Sequence, residues 1–586
     1  MNGNRSGAHL TDDGVTFRLW APAAKTVDVV LDRAYGMSRT GNAWFYLHVP
    51  EARAGALYKF RINGELDVPD PASQFQPNDV AGPSEVIDHG VYKWRVPDWR
   101  GRPWAESVFL ETHVGTFTPQ GTYLAMIEKL DHLVASGFTA LELMPLADFP
   151  GRWNWGYDGV LWYAPDSVYG RPDDLKTLID EAHLRGLMVF LDVVYNHFGP
   201  EGNYLGWYAP TFFSNSQTPW GNAIDYRVPE VRQFAIENAL HWLKDYRFDG
   251  LRLDAVHAIV ETGEPHLLHE LSQAVGDFAT MSGRHIHLVL ENDNNIAGLL
   301  DPSTDPPCGK YRAQWNDDYH HAWHVLLTKE TNGYYSDYAV PPQTIARILN
   351  SGFAYQGEAS AHRGGALRGE SSGDLSPTAF VNFLQNHDQI GNRAFGDRLE
   401  AGADSSALQA ALAITLLAPM PPLMFMGEEW GATSPFPFFC DFTGDLADAV
   451  RQGRRKEFRS AYEKYGDEIP DPLDEATFKS ARLDWFSVAE PVAQDRLRLV
   501  RKLLTVRRAE IVPYLSGCRF DHVAVRDGLL TARWALGHGR RLSLLANISN
   551  EGADTIERLP LGRIVWGQRK KDRLVPWAVL WAIGES

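Results

Sequence analysis

The fold of this 586-residue chain is limited most by a unit that repeats from about residue 120 onward: an amphipathic helix, a glycine, then a short apolar run. Leu175, Leu178, Ile179 and Ala182 recur at i, i+3, i+4 and i+7 and form one helical face, Arg185 and Gly186 close the helix, and residues 187–194 follow as a nearly continuous apolar strand. A strand that is apolar on both faces is buried on both, as in a parallel sheet covered by helices. The preceding unit repeats the plan, with Leu124, Ile127 and Leu130 on a helix, Gly137 at its end and 138–144 as the strand. Ile236, Leu240 and Leu243 lie on a further helix ahead of a strand around 248–253. Strands are predicted near 108–112, 138–144, 188–194, 249–254, 286–290, 311–315, 380–385 and 422–426. Eight such strands with helical crossovers predict an α/β chain built on a (β/α)8 TIM barrel, with its chemistry at the C-terminal strand ends. A doubly wound sheet is the alternative, but no glycine-rich phosphate fingerprint follows any strand.

The flanks follow a different period. Val15, Phe17 and Leu19 alternate with polar neighbours, as do Tyr58, Phe60 and Ile62, and the second run ends at the hairpin signal Asn63-Gly64. Alternation returns after a helical stretch near 494–508, with Val523 and Val525, the Asp527-Gly528 turn, Leu542 and Leu544, and the tail Val579, Trp581 and Ile583. The expected organisation is therefore an N-terminal antiparallel β domain over 1–98, the barrel over 99–493 and a C-terminal antiparallel β domain over 494–586.

The formal charge of −18 gives no electrostatic footprint for nucleic acid or an anionic membrane, so neither is an expected partner. An aromatic share of 12% suits sugar rings, whose C–H faces are apolar. Cys308, Cys440 and Cys518 are far apart and in no metal-ligand spacing, which fits a reducing compartment. Residues 1–12 lack the apolar stretch of a signal peptide, and the longest apolar run, 410–426, is broken by Pro419, Pro421 and Pro422. A cytoplasmic protein is the expectation.

Four polar segments fall just past predicted strands: Asp192-Val-Val-Tyr-Asn196-His197, Gly250-Leu-Arg252-Leu-Asp254-Ala-Val-His257, Leu290-Glu291-Asn292-Asp293 and Gln385-Asn386-His387-Asp388-Gln389. Three carboxylates, Asp254, Glu291 and Asp388, would then meet at one barrel mouth. Paired carboxylates suit glycosidic cleavage, because one stays protonated to expel the leaving oxygen while the other attacks or stabilises an oxocarbenium-like centre. Arg252 lies two residues before Asp254, on the same face of its strand, as either the partner of a nucleophile or half of a structural ion pair. His387 beside Asp388 could bind vicinal hydroxyls, and His197 and His257 would lie at the rim. His320 and His324 are four apart, but His-Glu-x-x-His is absent, and the polar residues of 196–203 lack the spacing of a calcium loop. Neither a metal nor a cofactor is expected.

These segments match, in order and spacing, the four sequence regions of the α-amylase family of glycoside hydrolases, and the chain resembles that family from about 105 to 490. The flanks resemble the family's N-terminal carbohydrate-module-like sandwich and C-terminal β domain. The resemblance implies retaining chemistry, with Asp254 as nucleophile, Glu291 as general acid/base and Asp388 as transition-state stabiliser. It further implies that Arg252 contacts the nucleophile, that His197 and His387 surround the cleaved sugar, that Tyr157 in Trp155-Gly-Tyr157-Asp158 stacks beneath it, and that Asp192 and Asn196 support them. Thr218-Pro-Trp-Gly221, Gln314-Trp-Asn-Asp-Asp-Tyr-His-His321, the segment from Phe383 to Arg393 and Phe425-Met-Gly-Glu-Glu-Trp430 are most similar to the family's trehalose-releasing branch. The implied substrate is maltooligosyltrehalose. His257 and Ala258 stand where many amylases carry Lys and His, which makes His257, with Trp220 and Asn292, the candidates for the trehalose side.

Overall fold

The computed structural model describes residues 5–303, 305–554, 562–568 and 573–585. Its centre is a closed parallel barrel of eight strands: Phe109–Thr112, Ala140–Leu143, Met188–Val193, Gly250–Leu253, His287–Leu290, Ala313–Trp315, Phe380–Phe383 and Pro422–Phe425. Each pairs with the next in parallel register and the eighth closes on the first, so the barrel replaces the doubly wound alternative. Phe109, Met188, Phe190, Val289, Trp315, Val381 and Phe383 fill the interior. Gly250 opens the fourth strand because a Cβ there would lie 2.2 Å from the Phe190 ring.

The helix Pro172–Leu184 buries Leu175, Leu178, Ile179 and Ala182 and ends at Arg185 before Gly186, whose φ of +75° needs no Cβ. The preceding unit departs from the sequence pattern. Leu124, Ile127 and Leu130 do not share one helix: Tyr123–Ile127 and Leu130–Ser136 are separate, and Leu124 is exposed. The Lys129 N–H turns back to the Met126 carbonyl at 2.9 Å while its ammonium lies over the Trp485 ring, and this tight turn rotates the apolar face.

The N-terminal region folds as two antiparallel sheets. Val15, Phe17 and Leu19 of one and Tyr58, Phe60 and Ile62 of the other are buried, and the Phe17 and Tyr58 rings meet edge-on at 4.9 Å. Asn63 and Gly64 take φ of +52° and +77°, as the turn signal requires. Asp527 and Gly528 do the same in a two-residue hairpin of the C-terminal sheet, which has five strands. That sheet docks on barrel helices through buried indoles: Trp534 Nε1 donates to the Leu349 carbonyl and Trp581 Nε1 to that of Ala413. Helix Pro491–Val506 spans the expected 493/494 division and packs on barrel helices Ser405–Leu417 and Leu130–Ser136. Among the described residues, no helix is long and apolar enough to cross a membrane.

At the N-terminal end of the barrel, the buried carboxylate of Asp249 accepts from His183 Nε2 at 2.8 Å, Trp99 Nε1 at 2.7 Å and the Val189 N–H at 2.9 Å. It ties the entering linker, a barrel helix and the third strand to the start of the fourth. Burial alone would raise the pKa of Asp249, but the His183 ring and the other donors outweigh it and hold the value below normal. Asp249→Ala is expected to cost about 3–5 kcal/mol by leaving buried donors unpartnered. The stabilisation from a depressed carboxylate is present above its unfolded pKa and fades as pH falls through the folded one. Thermal melts should therefore show a gap between wild type and variant that narrows in acid, and coincident melts at neutral pH would refute the assignment.

Candidate active site

The site is built at the C-terminal strand ends. Alternation along the fourth strand points Arg252, and Asp254 just beyond it, to one side, and parallel register sets Arg252 beside Asp192 of the third strand. The buried Arg252 guanidinium donates to Asp192 at 2.7 Å and to Asp254 Oδ1 at 2.8 Å, lies 3.7 Å from Glu291 Oε2, and packs 4.2 Å over the Trp315 ring. Asn196 Nδ2 donates to Asp254 Oδ2 at 2.9 Å, so both oxygens of that carboxylate are oriented. Ala255 takes an unusual φ of +39° for a residue with a side chain, and its N–H donates to the Glu291 carboxylate.

Glu291 differs from Asp254 in environment. Burial pushes its pKa well above the usual carboxylate range; Arg252 opposes this, while Asp254, Asp317 and Asp388 add to it. Asp388 sits in the first turn of a short helix capped by Asn386, and Asn392 Nδ2 donates to its Oδ1 at 2.7 Å. His387 is held by Glu111, whose carboxylate meets both its N–H and its ring Nδ1, and its ring stacks on Tyr157 at 5.0 Å. Burial would lower the pKa of His387, but the Glu111 carboxylate overrides it and raises the value. Tyr157 Oη donates to Asp192 at 2.6 Å, the Tyr157 carbonyl meets His197 Nε2 at 2.9 Å, and the His197 ring stacks on Trp220 at 4.6 Å.

These groups open into a cavity of about 560 Å³ whose walls include Asp254, Glu291, Asp388, Tyr157, His197, Arg252, His257, His387 and Trp220. Three sequence candidates are not among its walls. Asp192 and Asn196 lie behind Arg252 and Asp254 as their hydrogen-bond partners. Asn292 turns into its own loop, its Oδ1 accepting the Asn294 N–H and its carbonyl accepting from Gln314 Nε2. The next residue, Asp293, faces the cavity and is clamped by Arg363 and Arg368. His257 lies alongside, its Nδ1 accepting the Asp293 N–H at 3.3 Å.

Sequence reasoning missed Glu111, Asp293, Asp317 and the two arginines. Glu111 and Asp317 obey the same strand-end rule, at the first and sixth strands, and that rule could have found them. Arg363 and Arg368 come from a long excursion after the sixth strand that carries no periodic signal. His320 and His324 are occupied by hydrogen bonds: His320 with the Leu384 carbonyl and Tyr335 Oη, His324 with Glu330. Among the described residues, no group of three or more His, Cys, Asp or Glu side chains is placed to hold a metal.

Comparison with known proteins decides the family. The chain is 42% identical over 547 residues to malto-oligosyltrehalose trehalohydrolase of Deinococcus radiodurans, covering 92% of this chain and 88% of that one. It belongs to the malto-oligosyltrehalose trehalohydrolase family. A second relative of that name, from Saccharolobus solfataricus, is 40% identical with 86% of each chain covered. Within this family member, residues 105–210 match the α-amylase catalytic domain and residues 5–75 match carbohydrate-binding module 48, the isoamylase N-terminal domain. A crystal structure from Salmonella typhimurium to which α-amylase is ascribed superposes with a TM-score of 0.94 at 43% identity, covering 99% of both chains. A pullulanase of Paenibacillus barengoltzii superposes at 0.71 with 20% identity, a likeness of fold.

In this trehalohydrolase-family site, Glu111→Gln removes the charge that keeps the His387 pKa high, leaving burial to lower it. The His387 titration midpoint, followed on ring NMR resonances assigned with a His387→Gln variant, is expected to fall. An unchanged midpoint would contradict the coupling.

Proposed function

We propose that this chain is a retaining glycosidase that cleaves the α-1,4-glucosidic bond next to the terminal trehalose unit of maltooligosyltrehalose, releasing trehalose and a maltooligosaccharide. The observation that carries this reading is the contrast between two carboxyls at one guanidinium: Asp254, oriented by Arg252 and Asn196, and Glu291, whose pKa burial raises. Membership of a family named for trehalose release supports the substrate.

In this mechanism Glu291 donates its proton to the bridging oxygen as Asp254 attacks the anomeric carbon, so the C–O bond to trehalose breaks and a glycosyl ester on Asp254 forms. Glu291, now a carboxylate, takes a proton from water; the water oxygen bonds to the anomeric carbon and the ester bond breaks, freeing the maltooligosaccharide and restoring Asp254. Asp388 binds hydroxyls of the distorted sugar, His197 and His387 surround it, and Tyr157 stacks beneath it. Trp220 and His257 serve the trehalose side, Trp220 by its half-exposed ring face. The cytoplasm is the proposed compartment, supported by three free thiols of which Cys440 and Cys518 are buried.

Asp254→Asn is expected to lower trehalose release from maltooligosyltrehalose by about 10⁴-fold or more while the protein remains folded by circular dichroism. Appreciable residual turnover would remove Asp254 from the nucleophile role. Because the protonated form of Glu291 does the work, kcat/KM should fall as pH rises through its raised pKa. A kcat/KM profile with no alkaline limb would oppose the acid assignment. Chromatography of parallel digests tests the substrate: rapid trehalose release with little action on plain maltooligosaccharide of equal length is expected, and equal cleavage of both would mean a general amylase.

A further inference from the structure

The short helix that carries Asp388, His387–Gly391, is held at its C-terminal end by two groups from elsewhere in the chain. Trp155 is one: Gly391 lies so close to it that an added Cβ would come 1.9 Å from the ring. The other is Arg454, on the helix Gly444–Glu457, which belongs to the excursion between the eighth barrel strand and the helix Pro491–Val506. That helix buries only Ala447, and the neighbours Gly453, Arg455 and Lys456 are exposed, yet the Arg454 side chain is 15% exposed. Its Nη2 donates to the Gly391 carbonyl at 2.8 Å, and its Nη1 donates to Asn392 Oδ1 at 3.0 Å and to Glu457 Oε2 at 2.9 Å. The guanidinium also lies 4.9 Å over the Phe438 ring and 4.8 Å over the Phe458 ring. A long side chain gives up this much freedom only where several contacts hold it at once.

A guanidinium has donors only, so Asn392 turns its amide oxygen to Arg454 and its NH2 away. That NH2 donates to Asp388 Oδ1 at 2.7 Å. Among the described residues, the Asp388 carboxylate has no other hydrogen-bond donor, whereas Arg252 and Asn196 hold both oxygens of Asp254. The direction of Asp388 therefore depends on Asn392, and that of Asn392 on Arg454. Arg454, Asn392 and Asp388 all border the active-site cavity, but Nη1 and Nη2 of Arg454 are engaged by protein acceptors, which directs its effect to Asn392 rather than to sugar.

We propose that Arg454 is a positioning residue for Asp388, acting through Asn392 to aim that carboxylate at the distorted sugar. The inference rests on the role given to Asp388 in the double-displacement reading above. A carboxylate free to swing meets the relaxed and the distorted sugar about equally well, whereas a fixed one favours the ring shape it was placed for. Loss of Arg454 therefore acts on kcat rather than on KM.

Steady-state kinetics of the full-length enzyme on maltooligosyltrehalose test this with Arg454→Met, Asn392→Ala and the two combined. The methionine keeps an aliphatic stem beside the phenyl rings and removes every donor; circular dichroism checks each fold, and Arg454→Gln replaces Arg454→Met if that variant does not fold. Each single variant should lower kcat about tenfold with KM within about twofold of wild type. The double variant should be no slower than Asn392→Ala alone, because breaking either link leaves the same loosened carboxylate. Losses that multiply to about a hundredfold would make Arg454 independent of Asn392 and overturn the proposal. A raised KM at wild-type kcat in Arg454→Met overturns it too, since that is the signature of a direct sugar contact. Asp388→Ala separates the two readings. If it is nearly inactive while Arg454→Met keeps the wild-type kcat, only the positioning role fails; if Asp388→Ala itself keeps the wild-type kcat, the role of Asp388 fails and the proposal with it.

Discussion

The carboxylates at the barrel mouth depend on one buried cation, Arg252. Arg252 lies at the barrel mouth between Asp192 and Asp254, 3.7 Å from Glu291 and 4.2 Å over the Trp315 ring. Burying a guanidinium without partners is prohibitive, and burying these carboxylates without it would be equally so. Each side makes the other tolerable. Nη1 alone donates to both Asp192 and Asp254, while the guanidinium packs over the Trp315 ring. Asp192, which burial raises to about 6 against the pull of Arg252, also receives the Tyr157 hydroxyl and so links the guanidinium to the aromatic floor of the cavity.

Around that cation the barrel separates charge by environment. Burial, with Glu111 and Asp192 nearby, raises the pKa of Glu142 inside the barrel well above the normal range. Glu111 instead faces His387 and forms a second charged pair on the far side of Tyr157. Glu291 shares a cation with Asp254 yet is raised by burial and by three aspartates. The result is a buried Glu291 with a raised pKa beside an Asp254 carboxylate that Arg252 and Asn196 orient. The flanking β domains act from outside: Trp534 and Trp581 pin the C-terminal sheet to barrel helices without reaching the mouth.

Much of this was legible because buried parallel strands announce themselves. The apolar runs ending in Asp192, Arg252-Leu-Asp254 and Glu291 carried both the strand and the polar residues at its end, so strand order and catalytic candidates came from one reading. Turn chemistry was equally local: Asn63-Gly64 and Asp527-Gly528 demand left-handed backbone wherever they occur. Reading failed where a distant contact decided. Leu124 looks like part of one helical face until Lys129 turns back on Met126 and rests on Trp485, more than 350 positions away in the chain. Asn292 and Asp293 are indistinguishable past the end of a strand, where alternation no longer assigns a side; Arg363 and Arg368 make the choice by clamping Asp293.

The amino-acid sequence by itself determined the barrel, its strand order, the two β flanks and the carboxylates at the strand ends, because periodicity, glycine stops and turn dipeptides act over a few residues. Tertiary structure alone decided which of those polar residues face the cavity and which stand behind it, and that burial raises the pKa of Glu291. Burial, shared cations and cavity walls are set by groups hundreds of residues apart, and they come into being only when the barrel closes.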